Sequence, residues 1–296
     1  MMSQTSGTYS GIGALVSQNA ETGIITVVKA FADAPAATAG VKNGDIIYKV
    51  KGKEVTGVDI NNVVTEMKGE KGTTVDITVY RESEKKYIDF TITRDQVNEP
   101  TVEYKMLDKK KKIGYIQISQ FEEVTYDQFT KALDDLKKQG MKAVIFDVRS
   151  NPGGLYETVC KMLDEILPEG NLVSTKDKYG NEEKQTSDSK CLDMPMVVLQ
   201  NKDSASASEI FAGAIQDFDA GKIVGTQSFG KGIVQTILPL SDGSAVKLTV
   251  QDYYTPSGKN IHGKGITPDV EAELEENATS DTQLEKAKET IMELME

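Results

Sequence analysis

Two short apolar runs, each opening into a glycine- or serine-rich turn and then a helical pattern, constrain this chain more than any other feature. The first is Ala143-Val-Ile-Phe-Asp-Val148, followed by Arg149-Ser-Asn-Pro-Gly-Gly154 and a helix expected from about Leu155 to Leu167. The second is Met196-Val-Val-Leu199, followed by Asn201-Lys-Asp-Ser-Ala-Ser-Ala-Ser-Glu209 and a helix with Ile210, Phe211, Ala214, Ile215 and Phe218 on one face. Lys112-Ile-Gly-Tyr-Ile-Gln-Ile118 is a further strand, and Tyr126 to Gln139 is an amphipathic helix with Gly140 as its C-cap. Strands alternating with helices imply an α/β core.

The pattern ahead of this core is different. Gly23-Ile-Ile-Thr-Val-Val28 and Asp45-Ile-Ile-Tyr-Lys-Val50 are short strands bounded by turn residues. Val75-Asp-Ile-Thr-Val-Tyr80 and Tyr87-Ile-Asp-Phe-Thr-Ile92 alternate with period two, and the charged Arg81 to Lys86 between them suits a hairpin loop. Asp59 reads as the N-cap of a helix burying Ile60, Val63, Val64 and Met67 and ending near Gly69. The chain therefore divides into a disordered segment 1–8, a small β-rich domain 9–97, and an α/β core 98–296 with a C-terminal amphipathic helix, the linker falling around Asn98-Glu-Pro100.

Composition excludes several functions. The 296 residues are long enough for two cores at 38% hydrophobic content. A net charge of −12 argues against nucleic acid, because phosphate binding needs a basic face, and Lys109 to Lys112 read as a solvated turn. No apolar run approaches the ~20 residues of a membrane helix. Met1 to Tyr9 is polar and lacks the apolar centre of a signal peptide. Cys160 and Cys191 lack metal-site spacing, so no metal is expected; they are two free thiols or one bridge.

The chemistry concentrates at the serine turn. Ser206, placed where a strand enters a helix, would sit beside unpaired N–H groups and the positive end of a helix dipole, a setting that suits an oxyanion. The Ala207 N–H is one donor, and the Pro152-Gly153-Gly154 turn offers a second. A serine nucleophile needs a base. The chain holds one histidine, His262, in a glycine-rich loop more suited to exposure than to catalysis. Lys231, in Phe229-Gly-Lys-Gly-Ile-Val-Gln235, is the better base, since burial beside Ile233 and Val234 would favour its neutral amine. Gln235 would orient the amine or polarise the substrate. Taken singly, Ser204, Ser206 and Ser208 also read as capping and turn residues, and Gly-Lys-Gly as a surface turn.

Together these segments resemble the carboxyl-terminal processing peptidases, the tail-specific serine proteases of family S41 with a PDZ domain. Tyr9-Ser-Gly-Ile-Gly-Ala14 is similar to the PDZ loop, which implies that Gly11, Ile12 and Gly13 hold a peptide carboxylate. Ala34 to Asp45 looks like a segment of bacterial PDZ domains, and Gly263-Lys-Gly-Ile-Thr-Pro-Asp269 is similar to a further family segment. Asp147 to Leu155, Ser204 to Glu209 and Phe229 to Thr236 resemble the oxyanion, nucleophile and lysine motifs. The resemblance implies Ser206 as nucleophile, Lys231 as general base, Gln235 as its orienting partner, and Glu209 and Asp217 as supporting carboxylates that could equally cap or face a helix. It implies a mixed α/β core similar to the Clp-protease and crotonase spiral, no cofactor, and an extracytoplasmic location. Protein substrates would be gripped by their C-terminal tails, with a preference for apolar tails suggested by Ile12 and the helix residues. It also implies a targeting segment and a helical region before the PDZ loop, with homo-oligomerisation through regions absent here. A non-catalytic PDZ peptide-binding protein and an acyl-CoA enzyme of the crotonase type are the competing readings.

Overall fold

A five-residue strand with every side chain buried has to be covered on both faces, and Ala143–Asp147 is such a strand. In the computed structural model, which describes residues 6–274 and 280–296, it lies inside a six-stranded sheet. The chain divides between Pro100 and Thr101 into two units.

The first unit is β-rich. Strand β1 (Thr8–Gly11) pairs antiparallel with β8 (Asp95–Asn98). Strands β2 (Ala14–Gln18), β3 (Ile25–Ala30), β4 (Ile46–Val50), β6 (Thr74–Arg81) and β7 (Lys86–Thr93) form an antiparallel sheet in the order β2-β3-β4-β6-β7, with the short β5 (Lys53–Glu54) on β4. Helices α1 (Pro35–Ala39) and α2 (Ile60–Met67) complete the unit. Alternation in β6 sends Val75, Ile77 and Val79 inward. The same period delivers Arg81 to the interior, where Nε and Nη2 meet both oxygens of buried Asp45 at 2.7 and 2.8 Å. Helix α2 begins as expected, with the Asp59 carboxylate accepting from the Asn61 N–H at 2.9 Å. At its other end the buried Arg94 guanidinium donates to the Met67 and Glu66 carbonyls, groups that a helix C-terminus leaves unpaired. Of the segment 1–8, residues 1–5 lie outside the described residues, and Thr8 already belongs to a strand.

The second unit is a mixed α/β layer structure. Its larger sheet runs β18 (Val270–Glu271), β15 (Gly221–Gly225), β14 (Met196–Gln200), β11 (Ala143–Asp147), β10 (Ile113–Ile118) and β9 (Val102–Asp108). All neighbours are parallel except β9, which is antiparallel to β10. Helices α3 (Glu123–Lys138), α4 (Tyr156–Asp164) and α5 (Ala207–Asp217) bury Phe129, Leu163 and Phe211 on the face carrying Val144 and Phe146. Helix α6 (Thr282–Leu294) places Ala287 and Ile291 on the face carrying Ala143 and Ile145. Helix α3 starts three residues before the position the apolar period gave, because the Thr125 hydroxyl accepts from the Glu122 N–H and closes a first turn.

The whole second sheet of this unit escaped the sequence reading: β12 (Gly170–Asp177), β13 (Glu182–Ser187), β16 (Ile233–Pro239) and β17 (Ala245–Tyr254), antiparallel in the order β13-β12-β17-β16, as did β9, β15 and β18 of the larger one and β1, β2, β5 and β8 of the first unit. Among the described residues no helix is long and apolar enough to cross a membrane.

An ion network fastens α6. Arg149 donates to Asp147 (Nη2 to Oδ2, 2.6 Å), to Asp281 (2.8 and 2.9 Å) and to Gln283. Asp281 also caps α6 by accepting from the Leu284 N–H at 3.0 Å. Burial opposes the charge of Asp281, yet the Arg149 and Leu284 bonds outweigh it and hold the carboxyl below its ordinary value. A depressed carboxyl contributes stability that is complete above the unfolded value of about 3.9 and is lost as pH falls through the folded one. The protection of the amides of residues 284–292 against hydrogen exchange, relative to their intrinsic rates, should therefore fall below about pH 4 in the native chain, whereas in Asp281→Asn it should already be low at neutral pH. In the first unit, Arg81→Ala strands a buried Asp45 carboxylate and should cost about 3–5 kcal/mol in urea unfolding, with Arg81→Lys recovering only part.

Candidate active site

Residues 201–206 leave β14 and turn sharply into α5, and the three alternating serines do three different things. Ser204 Oγ donates to the Val148 carbonyl at 2.8 Å and Ser208 Oγ to the Asn151 carbonyl at 2.9 Å, so both are buried ties. Ser206 is half-buried and lines a cavity of about 640 Å³. It adopts φ 57°, ψ −116°, a backbone state that costs a non-glycine residue about 1–3 kcal/mol and persists only where neighbours impose it.

The turn after β11 is locked onto this one. Fully buried Asn151 donates from Nδ2 to the Ile118 carbonyl at 2.8 Å, and its own carbonyl accepts from the Ala205 N–H at 3.0 Å. Gly153, at φ 103°, lies against the serine: a Cβ there would stand 2.8 Å from Ser206 Cβ and 2.7 Å from the Ala205 carbonyl oxygen. Only glycine allows this approach.

Of the expected oxyanion residues, Gly153 does not offer a donor, because its N–H is already bonded to Asn151 Oδ1 at 2.9 Å. Gly154 and Ala207 both line the cavity with Ser206. Among the described residues neither of their N–H groups has an acceptor. The Ala207 N–H is one of the donors that every helix N-terminus leaves open.

Glu209 and Lys231 meet through the backbone. Glu209, the third residue of α5, is fully buried, and its carboxylate accepts four hydrogen bonds. Oε2 takes the Ser206 N–H (2.9 Å) and the Lys231 N–H (2.8 Å); Oε1 takes Ser228 Oγ (2.6 Å) and the Gly230 N–H (2.7 Å). The backbone nitrogens of residues 206 and 231 share one oxygen and so lie within about 6 Å of each other. Tyr253, on β17, adds a second link: its hydroxyl contacts the Ser206 carbonyl at 3.0 Å and the Lys231 carbonyl at 2.6 Å. Burial, and then the charge of Glu209, push this phenol well above its ordinary value. Tyr253 escaped the sequence reading, since an aromatic residue at the end of a strand that alternates apolar and polar residues carries no mark of such a role.

The surroundings of Lys231 differ from expectation. The side chain is half-buried rather than enclosed, since Ile233 and Val234 are themselves half-buried on an edge strand. No hydrogen bond joins its Nζ to Ser206 Oγ or to another described residue. Gln235 lies exposed on the cavity wall with its Nε2 on Thr249 Oγ1 at 3.4 Å, not on the lysine. Asp217 ends α5 about 15 Å from the serine. There it accepts from the Ser257 N–H (2.9 Å) and the Lys259 ammonium (3.1 Å), and it is not brought to the cavity. His262 is exposed. Cys160 is buried and Cys191 exposed, and both thiols are free. Among the described residues no group of His, Cys, Asp and Glu is placed to hold a metal.

In the first unit, Gly11 ends β1, and Ile12 and Gly13 form the loop into β2. Among the described residues the N–H groups of Ile12 and Gly13 have no acceptor. Their carbonyls accept from Ala36 (2.7 Å) and Phe31 (3.0 Å), which fixes the loop. Gly13 needs to be glycine, with φ 75° and the Ala34 methyl 2.3 Å from where a Cβ would stand. The Ile12 side chain is 5% exposed and belongs to the core, so it is not available to read an apolar tail. Among the described residues β2 is an edge strand with no strand on its outer side.

The pattern of peptidase family S41 matches residues 112–272, and that of the PDZ domain matches residues 10–92. The chain is 41% identical over 281 residues to the carboxy-terminal-processing protease of Bartonella bacilliformis, covering 92% of this chain and 63% of that one. It is 39% identical over 269 residues to a "Probable CtpA-like serine protease" of Staphylococcus epidermidis, covering 90% of this chain and 53% of that one. The chain thus spans between half and two thirds of the length of these relatives. Among solved structures, the photosystem II D1 C-terminal processing protease aligns with a TM-score of 0.56 at 29% identity, covering 96% of this chain and 77% of that one. The tricorn protease aligns at 0.55 and 20% identity over 97% of this chain and 29% of that one, a likeness of fold alone. With more than half its residues under the S41 pattern and the expected PDZ domain ahead of them, this chain belongs to peptidase family S41.

Proposed function

We propose that the chain is a serine endopeptidase of the carboxyl-terminal processing type, working through Ser206 and Lys231. The observation that carries this reading is the shared Glu209 oxygen, which registers the two segments beside a cavity containing two N–H groups that have no acceptor among the described residues. Ser206 Oγ attacks the scissile carbonyl while its proton passes to the neutral Lys231 amine, which the flexible four-carbon stem carries to it. The developing oxyanion is held by the Gly154 and Ala207 N–H groups. Lys231 returns the proton to the leaving amine, and water then hydrolyses the acyl-enzyme. Gln235, exposed on the cavity wall, serves the substrate rather than the lysine.

The PDZ unit grips the substrate's tail, its carboxylate on the Ile12 and Gly13 N–H groups and its backbone added to the free edge of β2. The Lys68 stem lies 3.6 Å from the Cβ position of Gly11, which places a cation near the same loop. Any preference for apolar tails then falls to α2, whose Val64 is only half-buried. By family resemblance the protein works outside the cytoplasm.

The unmade Ser206–Lys231 bond is what a non-catalytic peptide-binding protein would also show, and one assay separates the two. Ser206→Ala and Lys231→Ala should each lower cleavage of an unfolded protein at least about 1,000-fold. Tail peptides bound without cleavage by the native chain would leave only the binding role. A second measurement addresses the loop: a fluorescent peptide with a free C-terminal carboxylate should bind the full chain at least about tenfold more tightly than its C-terminal amide, since anisotropy would then register a lost charge-assisted bond.

A further inference from the structure

We propose that Tyr253 is a positioning residue for catalysis, clamping the carbonyl side of the Ser206 and Lys231 segments as Glu209 clamps their N–H side. The inference rests on the peptidase reading above and extends it to a residue on the second sheet.

Each of the two reactive residues is held at both ends of its backbone. Their N–H groups converge on Glu209 Oε2 at 2.9 and 2.8 Å. Their carbonyls converge on the Tyr253 hydroxyl at 3.0 and 2.6 Å. A phenol has one proton to donate, so the shorter contact to Lys231 takes the larger share and the Ser206 carbonyl completes a forked bond. Burial and the nearby Glu209 charge keep the phenol protonated, so it remains a donor across any working pH.

The tyrosine is itself fixed. It is 1% exposed, its N–H donates to the Gly232 carbonyl at 3.1 Å, and its strand pairs with Thr175 of β12. The ring is thus anchored in the antiparallel sheet while the hydroxyl reaches the serine turn of the parallel sheet's helix layer. That connection matters because Ser206 sits at φ 57°, a conformation it keeps only while surroundings impose it. Without the hydroxyl, the Ser206 peptide and the Lys231 loop lose their common anchor on one side. A displacement of about 1 Å between reacting groups is enough to cost on the order of 100-fold in rate.

Tyr253→Phe keeps the ring and deletes the bond. Steady-state cleavage of a peptide substrate should show kcat reduced about 10- to 100-fold with KM within about twofold, since the hydroxyl holds main chain rather than substrate. Labelling of Ser206 by a fluorophosphonate should slow by a similar factor. Tyr254→Phe, on the neighbouring half-buried residue, should retain the native kcat. A Tyr253→Phe chain that cleaves and labels at the native rate overturns the proposal. So does one that fails to fold by circular dichroism, because the hydroxyl would then serve the fold, or one whose loss appears in KM alone. Ser206→Ala run alongside keeps the two readings apart. If it cleaves normally the peptidase reading itself fails, whereas an inactive Ser206→Ala beside a fully active Tyr253→Phe removes only the clamp.

Discussion

A carboxylate taken wholly out of water carries a large desolvation penalty unless its lone pairs are filled. Glu209 meets that condition with four donors drawn from Ser206, Ser228, Gly230 and Lys231. The rest of the site depends on this single ion. Residues 25 positions apart in sequence are brought together not by packing between their side chains but by the need of one buried charge for N–H groups. The requirement is directional, so it fixes orientation as well as distance, which apolar contacts between the same segments would not do.

The parallel sheet supplies the platform beneath. Strands β11 and β14 lie side by side, and the turns that leave them are stitched by Asn151, Ser204 and Ser208. Backbone conformations that are costly elsewhere, at Ser150, Gly153, Gly154 and Ser206, collect in this small region. Such clustering is what a site needs if reactive groups are to be held without filling the space a substrate must enter. On the opposite face of the sheet Arg149 fastens α6 through Asp281, so one turn serves the cavity on one side and the fold's closure on the other.

Much of this was readable from residue order, and the exceptions have physical causes. Strands β6, β7, β10, β11 and β14 follow directly from apolar alternation or apolar runs, and Asp59 marks its helix by side-chain chemistry. Strand β13 could not be read that way, because Glu182-Glu-Lys-Gln-Thr-Ser187 carries no apolar period; pairing with β12 makes it a strand. The serine turn was legible as chemistry, but which of three serines faces the cavity is decided by the Val148 and Asn151 carbonyls, which lie 56 and 57 residues upstream of the serines they hold. Two adjacent glycines offered two equivalent oxyanion donors on paper. A side chain two residues earlier takes one of them. An enclosed lysine was inferred from apolar neighbours, yet those neighbours lie on a sheet edge and leave it half open. Tyr253 shows the limit most clearly, since its partners are main-chain carbonyls that no residue type announces.

The two thiols differ in a way that matters at the bench. Cys160 is sequestered in α4, and burial pushes its thiol up to about 12 despite the Tyr156 hydrogen bond that opposes the shift. Cys191 stands in the open, outside any helix or strand. A maleimide dye at neutral pH would consequently mark a single position on the folded chain, giving a spectroscopic reporter without engineering a cysteine-free background.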